Sequence, residues 1–326
     1  MIKSGKDTIF ASKLIREGKL VAFPTETVYG LGANGLDAKA VARIFEVKKR
    51  PSFDPLILHI AAIDDLHTVF KRPVSPLIIR LAQKYWPGPL TIVSHCRKSI
   101  PDIVTSGLPT VAVRMPNHPV ALKLIRQAGV PIAAPSANLF GRLSPTTPEH
   151  VKEQLTAVDY LIEGGRTNIG IESTIVSVCS DVIEIIRPGI ITEAQIAADF
   201  PDVKVVSEYA AQIVNAPGQL KSHYSPNKPF YLIDELPSEL PNYVGLILFN
   251  TMRLPAGANC KVNLLSQNGD MLESASNLFA ALHGFENDSA IEKIYAMKVK
   301  DEGIGTAIMD RLNKAAYRFT SLMVND

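Results

Sequence analysis

The sequence predicts an α/β fold in two parts. Through the first two hundred residues, short apolar runs typical of buried strands alternate with segments whose apolar residues recur at helical spacing. This alternation stops near residue 206, and residues 215–229 then contain three prolines and a glycine, as expected of an extended connector. A second, shorter alternation follows. We therefore predict domains over residues 1–206 and 230–326, joined by a connector over residues 207–229.

Several predicted helices of the first domain have capping signals. Asp37 can cap one helix, Pro119 and Gly129 suit the start and end of another, and Thr192 with Gln195 forms a capping box. Further helices are predicted over 9–17 and 77–84, and strands over 20–24, 55–60, 91–93, 110–114, 132–134, 160–162, 173–178 and 182–186. We expect one mixed sheet with helices on its faces.

The smaller domain shows the same kind of pattern. Strands are predicted over 230–233, 244–249 and 291–297, and helices over 274–285 and 306–320. A domain of about a hundred residues lies within the usual size range.

The composition excludes several classes of protein. Hydrophobic residues make up 46% and charged residues 20% of the chain, as in a globular protein, and a net charge of +2 neither favours nor excludes nucleic acid. The three cysteines lie far apart and the seven histidines are scattered, so neither a disulfide framework nor a protein-only metal site is predicted. The chain shows no signal peptide and no apolar run of the ~18 residues that span a membrane, so we expect a cytoplasmic protein.

Two polar clusters interrupt the apolar pattern early in the chain. Residues 24–32 follow a predicted strand, and their two glycines allow a ligand to approach the backbone closely, although an ordinary turn is the alternative. Residues 48–50 are three consecutive cations at a helix end, where the helix dipole also favours basic residues. Because Pro51 and Pro55 stiffen the loop that follows, these cations are equally suited to a polyphosphate.

Further polar clusters occur later in the first domain. Arg114 ends a predicted strand and can bind a carboxylate, although a surface salt bridge is the alternative. Residues 133–147 carry hydroxyl and amide groups that suit either a nucleotide pocket or a polar loop, and Ser173 and Arg187 add another hydroxyl and another cation. Because open α/β sheets bind ligands at strand ends, we expect these clusters to share one site. None of them matches a P-loop or a dinucleotide fingerprint.

Nine motifs stand in a fixed order along the chain. They are Pro24-Thr-Glu-Thr-Val-Tyr-Gly-Leu-Gly, Lys48-Lys-Arg-Pro-x-x-x-Pro-Leu, Trp86-Pro-Gly-Pro-Leu-Thr, Val111-Ala-Val-Arg-Met-Pro, Ala134-Pro-Ser-Ala-Asn, Glu172-Ser-Thr-Ile-Val, Ile186-Arg-Pro-Gly, Pro217-Gly-x-x-x-x-His-Tyr-x-Pro and Gly305-x-Ala-Ile-Met-Asp-Arg-Leu-x-Lys-Ala-Ala. With this ordered set, the chain resembles the YrdC-like family of threonylcarbamoyl-AMP synthases in its long, two-domain form. The resemblance covers nearly the whole chain.

This resemblance implies a fold and a reaction. The fold would be a YrdC-like twisted mixed sheet with helices, followed by a smaller Rossmann-like α/β domain. The reaction would join L-threonine, bicarbonate and ATP into threonylcarbamoyl-AMP, with release of pyrophosphate. Mg²⁺ would be carried by the ATP phosphates. The product would pass to a transferase complex that modifies tRNA beside the anticodon.

The resemblance also implies roles for individual residues. Predicted contacts to threonine are Thr27, His59, Arg114, Ala134 and Ser173. Predicted contacts to ATP are Lys49, Arg50, Asp54, Thr110, Ser136, Asn138, Ser144, Arg187, His223 and Tyr224. Lys48 and Arg50 are the predicted catalytic residues. Asp54 stands where many relatives have asparagine, so its charge near phosphates requires compensation by Lys48, Lys49 or Mg²⁺.

Alternative interpretations remain open at this point. One is a double-stranded RNA-binding module without turnover, which would use a basic concave surface. Another is a carbamoyl-transfer domain of hydrogenase maturation, but the acylphosphatase and zinc-finger segments of those proteins are not found in this sequence. The second domain could serve only to stabilise the first, whereas a connector that closes over the nucleotide, with His223 and Tyr224, would give it a functional role.

Overall fold

The structure of the protein is a computed structural model that describes residues 2–207, 220 and 222–323, with side chains as far as residue 320. Most of the predicted connector over 207–229, including Pro217 and Gly218, lies outside the described residues. His223 and Tyr224, near its end, lie within them.

The helices begin and end largely where the capping signals indicate. The carboxylate of Asp37 accepts hydrogen bonds from the backbone N–H groups at the start of the second helix. Gly129 ends the sixth helix in a left-handed conformation, and the predicted box of Thr192 and Gln195 is present. Within the described residues the helices are α1 (Thr8–Arg16), α2 (Ala38–Lys48), α3 (Leu66–Val69), α4 (Pro76–Tyr85), α5 (Asp102–Thr105), α6 (Pro119–Ala128), α7 (Pro148–Gln154), α8 (Glu193–Asp199), α9 (Met271–Asn287) and α10 (Ile304–Met323).

The strands form two sheets. They are β1 (Ser4–Gly5), β2 (Val21–Phe23), β3 (Gly30–Asn34), β4 (Ile57–His59), β5 (Leu90–His95), β6 (Thr110–Arg114), β7 (Ile132–Ala133), β8 (Tyr160–Ile162), β9 (Thr174–Ser177), β10 (Val182–Arg187), β11 (Lys204–Ser207), β12 (Phe230–Ile233), β13 (Val244–Leu248), β14 (Lys261–Leu264) and β15 (Lys293–Met297).

The larger sheet is mixed and the smaller one is parallel. In the part of the chain that the structure describes, the larger sheet has the order β1-β8-β2-β3-β7-β4-β6-β5-β9-β10-β11. The smaller sheet has the order β12-β15-β13-β14, and its pairings are all parallel. The predicted mixed α/β sheet and the smaller α/β domain are therefore confirmed.

The local pattern does not predict strand β3, because two glycines in this segment favour a turn. Its sequence, Gly30-Leu-Gly-Ala-Asn, lacks the β-branched residues that mark strands. The strand lies between β2 and β7, and a Cβ on Gly32 would come within 2.8 Å of both the Phe23 ring and the Ile132 side chain. The glycines thus serve close packing between strands.

Helices cover both faces of the larger sheet. Alternate residues of β2 point to opposite sides, so Val21 and Phe23 belong to the core formed with α1 and α6, while Ala22 belongs to the core on the other face, which includes α2. The smaller domain has its own core, which also takes in Val28 and Ile171 from the first domain. Among the described helices, none combines the length and apolar character needed to span a lipid bilayer.

Candidate active site

A cavity lies on one face of the larger sheet, beside β4 and β6. Ile57 and His59, two residues apart on β4, both line it, and Arg114 stands opposite His59 in the register of β6. Residues two apart on a strand share a face, so the cavity lies over the sheet and is not confined to strand ends. The expectation of a strand-end site is thus only partly met.

Ten predicted site residues line this cavity, although they come from distant parts of the sequence. They are Thr27, Arg50, His59, Arg114, Ala134, Ser136, Ser173, Arg187, His223 and Tyr224. The cations Arg50, Arg114 and Arg187 are each less than a tenth exposed. A buried cavity with three guanidinium groups is suited to anionic ligands.

Arg114 is fixed by three contacts on its guanidinium group. Its Nη1 donates to Thr27 Oγ1 at 2.9 Å, its Nε donates to the carbonyl oxygen of Gly88 at 3.2 Å, and its Nη2 lies 2.6 Å from Glu26 Oε1. Arg114 and Glu26 are each 4% exposed, so the arginine is not part of a surface salt bridge. The orientation of its planar group is therefore set before any ligand binds.

Glu26 was not singled out from the sequence, although it lies within the first motif. Its carboxylate forms a close ion pair with Arg114, but neither of its oxygens has an aligned hydrogen bond within the described structure. The contact is therefore mainly one of charge. A carboxylate flanked by two candidate hydroxyls, Thr25 and Thr27, was the available signal, but the sequence alone does not reveal burial.

His59 is a neutral imidazole at physiological pH. Burial, with a smaller contribution from the charge of Arg114, lowers its pKa to about 3. Its Nδ1 has no hydrogen-bond partner among the described atoms. His59 therefore adds polarity to the cavity without adding positive charge.

The three consecutive cations at the end of α2 have different surroundings. Lys48 is buried, and its Nζ donates to the carbonyl oxygens of Ser136 at 2.6 Å and Asn138 at 2.5 Å. Lys49 is exposed and ends α2 in a left-handed conformation. Arg50 lines the cavity. Among the three, only Lys49 fits the interpretation of a solvated helix end.

Asp54 is buried against Arg50. Its Oδ2 lies 2.9 Å from Arg50 Nη2, and Arg50 also donates to the carbonyl oxygens of Asp54 and Pro55. Burial raises the pKa of Asp54, and the nearby guanidinium opposes that rise. Its main compensating charge is therefore Arg50, with smaller contributions from Lys48, one of the expected partners, and from Arg187.

Several predicted site residues do not line the cavity. The backbone carbonyl oxygen of Asn138 accepts a hydrogen bond from Lys48 Nζ. The Ser144 hydroxyl donates to Glu172 Oε1 at 2.5 Å. Thr110 begins β6 opposite His95, and it is partly exposed. The residues in this group are Lys48, Lys49, Asp54, Thr110, Asn138 and Ser144.

Ser173 and Arg187 form one hydrogen-bonded unit. Arg187 Nη2 donates to the carbonyl oxygen of Ser173 at 2.9 Å and to its Oγ at 3.0 Å, while Arg187 Nε donates to the same carbonyl at 3.1 Å. The Ser173 hydroxyl also lies 2.7 Å from that of Thr91. These bonds hold a serine hydroxyl and a cation at the same wall of the cavity.

His223 and Tyr224 close the cavity from the side of the smaller domain. Their rings lie 4.1 Å apart, and the backbone of Tyr224 is left-handed, with φ of 59°. Burial lowers the pKa of His223 and raises that of Tyr224, so both side chains are uncharged near neutral pH. They offer a ring surface and polar atoms without charge.

The donor set of the cavity does not fit a protein-held divalent cation. Within the described residues, no group of three or more histidine, cysteine or acidic side chains is placed to hold a metal. Both carboxylate oxygens of Glu172, the acidic residue on the cavity wall, are engaged by Ser144 and Arg311. The remaining groups are mostly cations and hydroxyls.

The family is decided by comparison with known proteins. Residues 13–189 match the Sua5/YciO/YrdC family model, described as telomere recombination. The chain belongs to the Sua5/YciO/YrdC family. Residues 188–317 match a second model, described as the C-terminal domain of threonylcarbamoyl-AMP synthase.

Members of the Sua5/YciO/YrdC family resemble this chain over nearly its whole length. The threonylcarbamoyl-AMP synthase of Bacillus subtilis is 40% identical, over 94% of this chain and 92% of its own. The crystal structure of Sua5 from Pyrococcus abyssi complexed with L-threonine has a TM-score of 0.86 and 37% identity, and covers 98% of both chains. A double-alanine variant of that protein, at a consecutive histidine and tyrosine, has a TM-score of 0.84, with 37% identity over 98% of this chain and 97% of its own.

Proposed function

We propose that this chain condenses L-threonine, bicarbonate and ATP into threonylcarbamoyl-AMP and pyrophosphate. The full-length similarity to threonylcarbamoyl-AMP synthases supports this reaction. The single observation that carries it is the cavity itself. A fixed arginine suited to a carboxylate, Arg114, lies in the same buried space as two further guanidinium groups, Arg50 and Arg187, suited to phosphates.

The threonine end of the cavity is the part around Arg114. We propose that Arg114 binds the threonine carboxylate, with Thr27, His59, Ala134 and Ser173 around the rest of the amino acid. A crystal structure of Pyrococcus abyssi Sua5 complexed with L-threonine supports this proposal. Because His59 is uncharged, it does not repel the threonine ammonium group.

The nucleotide end is the part around Arg50 and Arg187. We propose that these cations and Ser136 contact ATP, and that His223 and Tyr224 close over it. Lys48, whose Nζ donates to two carbonyl oxygens, fixes the loop that carries Ser136. Burial lowers the pKa of Lys48 well below its usual range, so its proposed part is to hold this loop in place. Five further residues lie outside the cavity wall, so we propose that they act on ATP less directly. They are Lys49, Asp54, Thr110, Asn138 and Ser144.

We propose that the cavity widens to admit both substrates. Its volume is about 50 Å³, space for only a few water molecules. His223 and Tyr224 are uncharged and form part of the cavity wall. Both lie within the predicted connector over 207–229. We propose that this pair moves aside to admit ATP and then covers it.

The proposed chemistry needs no nucleophile from the protein. The threonine amine adds to bicarbonate with loss of water, which gives a carbamate. A carbamate oxygen then forms a bond to the α-phosphorus of ATP, and the bond from that phosphorus to the β-phosphate oxygen breaks, which releases pyrophosphate. Nucleotidyl transfer of this kind depends mostly on positioning and charge neutralisation, which buried cations supply.

We propose that Mg²⁺ enters with ATP and is carried by its phosphates, because the cavity offers cations and hydroxyls in place of a carboxylate cage. When bound, Mg²⁺ would neutralise phosphate charge. The product would pass to a tRNA-modifying transferase complex, which implies a cytoplasmic setting.

RNA binding is a second candidate function, favoured by one surface groove. Four cationic side chains line it, together with His95 and one acidic residue, Asp102; the cations are Lys71, Arg72, Arg97 and Lys98. Such a groove suits the phosphates of a duplex. Its test is binding of double-stranded RNA by the wild type and by Arg72→Glu/Lys98→Glu. Equal affinity of the two proteins, or affinity independent of salt, would reject this groove as an RNA site.

The test of the synthase is release of pyrophosphate from ATP. We expect release only when both threonine and bicarbonate are present, together with a product that contains threonine, one carbon from bicarbonate and AMP. Arg114→Ala should raise the threonine requirement more than the ATP requirement. ATP hydrolysis that does not depend on threonine would reject the proposal.

A further inference from the structure

The last helix, α10, extends one arginine out of the smaller domain and into the first. Arg311 is 1% exposed, and it is the largest of the fully buried side chains. Its Nε donates to Glu172 Oε2 at 3.0 Å, its Nη1 to the carbonyl oxygen of Pro188 at 2.7 Å, and its Nη2 to the carbonyl oxygen of Glu172 at 3.3 Å. One guanidinium group thus joins two separate segments of the first domain.

These two segments carry the serine and the arginine of the cavity wall. Glu172 directly precedes Ser173, and Pro188 directly follows Arg187. Arg187 donates to both the carbonyl oxygen and the hydroxyl of Ser173, so the two segments are joined on the inner side as well. The contacts from Arg311 therefore fix the backbones that position both side chains.

Two further features connect Arg311 to the cavity. The Arg311 guanidinium lies 5.6 Å from the centre of the Tyr224 ring, within the range of a cation–π contact. The other oxygen of Glu172 accepts from Ser144, so the carboxylate that receives Arg311 is held on both sides. A planar guanidinium group with several N–H donors can fix Glu172 and Pro188 relative to each other. A lysine ammonium in its place provides a single point of charge.

We infer that Arg311 is a positioning residue for the substrate cavity, supplied by the smaller domain. It fixes Ser173 and Arg187 relative to each other and supports Tyr224, so the first domain alone does not hold the complete site. This inference rests on the proposed function, because positioning is defined by the turnover it affects.

If Arg311 only held the two domains together, its role would be purely structural and its loss would have different consequences. Its loss would lower the melting temperature and the amount of folded enzyme but would leave the kinetic constants of the folded fraction unchanged. Loss of positioning lowers kcat per folded active site, because a displacement of about 1 Å can cost about a hundredfold in rate. The two roles are therefore separable by kinetics on the folded protein.

The experiment uses the full chain and Arg311→Lys, which keeps the charge beside Glu172 but loses the fork that reaches Pro188. Threonine- and bicarbonate-dependent release of pyrophosphate gives kcat and both KM values, normalised to the folded fraction measured by circular dichroism. We expect kcat to fall by about 10- to 100-fold, with a higher KM for ATP. Arg318→Lys, at the exposed end of the same helix, is the matched control and should match the wild type.

A double-variant cycle identifies the route of the effect. Because part of the effect of Arg311 passes through Ser173, Arg311→Lys/Ser173→Ala should lose less activity than the two single losses combined. Full additivity of the two losses would overturn the route. Should Arg311→Lys fail to fold, Glu172→Gln removes the charge at the same contact and has the same expected effect.

The outcomes separate this inference from the proposed function. If the wild type shows threonine-dependent turnover and folded Arg311→Lys has the same kinetic constants, the inference is overturned and the proposed synthase activity stands. A wild type without threonine-dependent turnover would overturn both.

Discussion

The ion pair of Arg114 and Glu26 allows stability and threonine binding to be separated. Both side chains are 4% exposed, and the charged atoms lie 2.6 Å apart. In Arg114→Met the Glu26 carboxylate stays buried without its counter-charge. In Arg114→Met/Glu26→Gln both charges are absent, and side chains of similar length fill the space.

The expected magnitudes follow from the burial of the pair. Breaking a buried ion pair by removing one partner costs about 3–5 kcal/mol. For a domain of this size, that corresponds to a fall in melting temperature of roughly 6–20 °C. The double variant should recover most of this loss, because replacing both members of a buried pair is often nearly neutral.

Threonine binding should respond differently. A hydrogen bond to a charged group contributes about 1.5–3 kcal/mol, so loss of the guanidinium should raise the KM for threonine by about 10- to 150-fold. The double variant should show the same rise, since it also lacks the guanidinium. The KM for ATP should change little in either variant.

The assay combines thermal unfolding with pyrophosphate release over a threonine titration for the wild type and both variants. Glu26→Gln alone completes the cycle. Equal melting temperatures of the single and double variants would refute the assignment of the loss to unpaired charge. Recovery of threonine affinity in the double variant would refute the role of Arg114 as the carboxylate ligand.

Three further predictions concern pH, charge and domain structure. Because the pKa of His59 is lowered to about 3, the folded state binds its proton more weakly than the unfolded state, so stability falls as pH drops from about 6.5 toward 3. The loss in the free energy of unfolding is about 2 kcal/mol at pH 5. In unfolding experiments His59→Phe should lose less stability between pH 7 and 5 than the wild type; equal losses in the two proteins would contradict this. Asp54→Asn removes the counter-charge of Arg50. With a charge–charge energy on the order of 1 kcal/mol, the KM for ATP should fall about fivefold; an unchanged KM would show that Arg50 does not act on the phosphates. A chain that ends at residue 207 exposes Val28, Leu143 and Ile171 and lacks Arg311, so it should be less soluble and lose threonine-dependent turnover; full turnover would show that the smaller domain is dispensable.

Much of the fold follows from local signals in the sequence. Asp37 and the pair of Thr192 and Gln195 define helix starts because their side chains bond to backbone groups only two or three residues away. Strand β3 could not be predicted in this way. The space for its glycines is set by Phe23 and Ile132, which come from neighbouring strands.

In the candidate site, too, the sequence identifies some residues and only the structure identifies the others. The ordered motifs by themselves determined the family resemblance and named Arg50, Arg114 and Arg187, because those cations stand next to strands or at a helix end where they are visible as motifs. The sequence could not separate Lys48, which is buried, from Lys49, which is exposed, because direction and burial depend on the turn at the end of α2.

Only the tertiary structure decided which charges meet. Glu26 lies 88 residues from Arg114 and Glu172 lies 139 residues from Arg311, yet each pair is buried in contact. Sequence patterns report short-range bonds and the alternation of exposed and buried residues. A partner across the sheet, or in a second domain, is fixed by how the elements pack. That packing assigned the counter-charges and brought an arginine of the smaller domain into contact with Glu172 on the wall of the cavity.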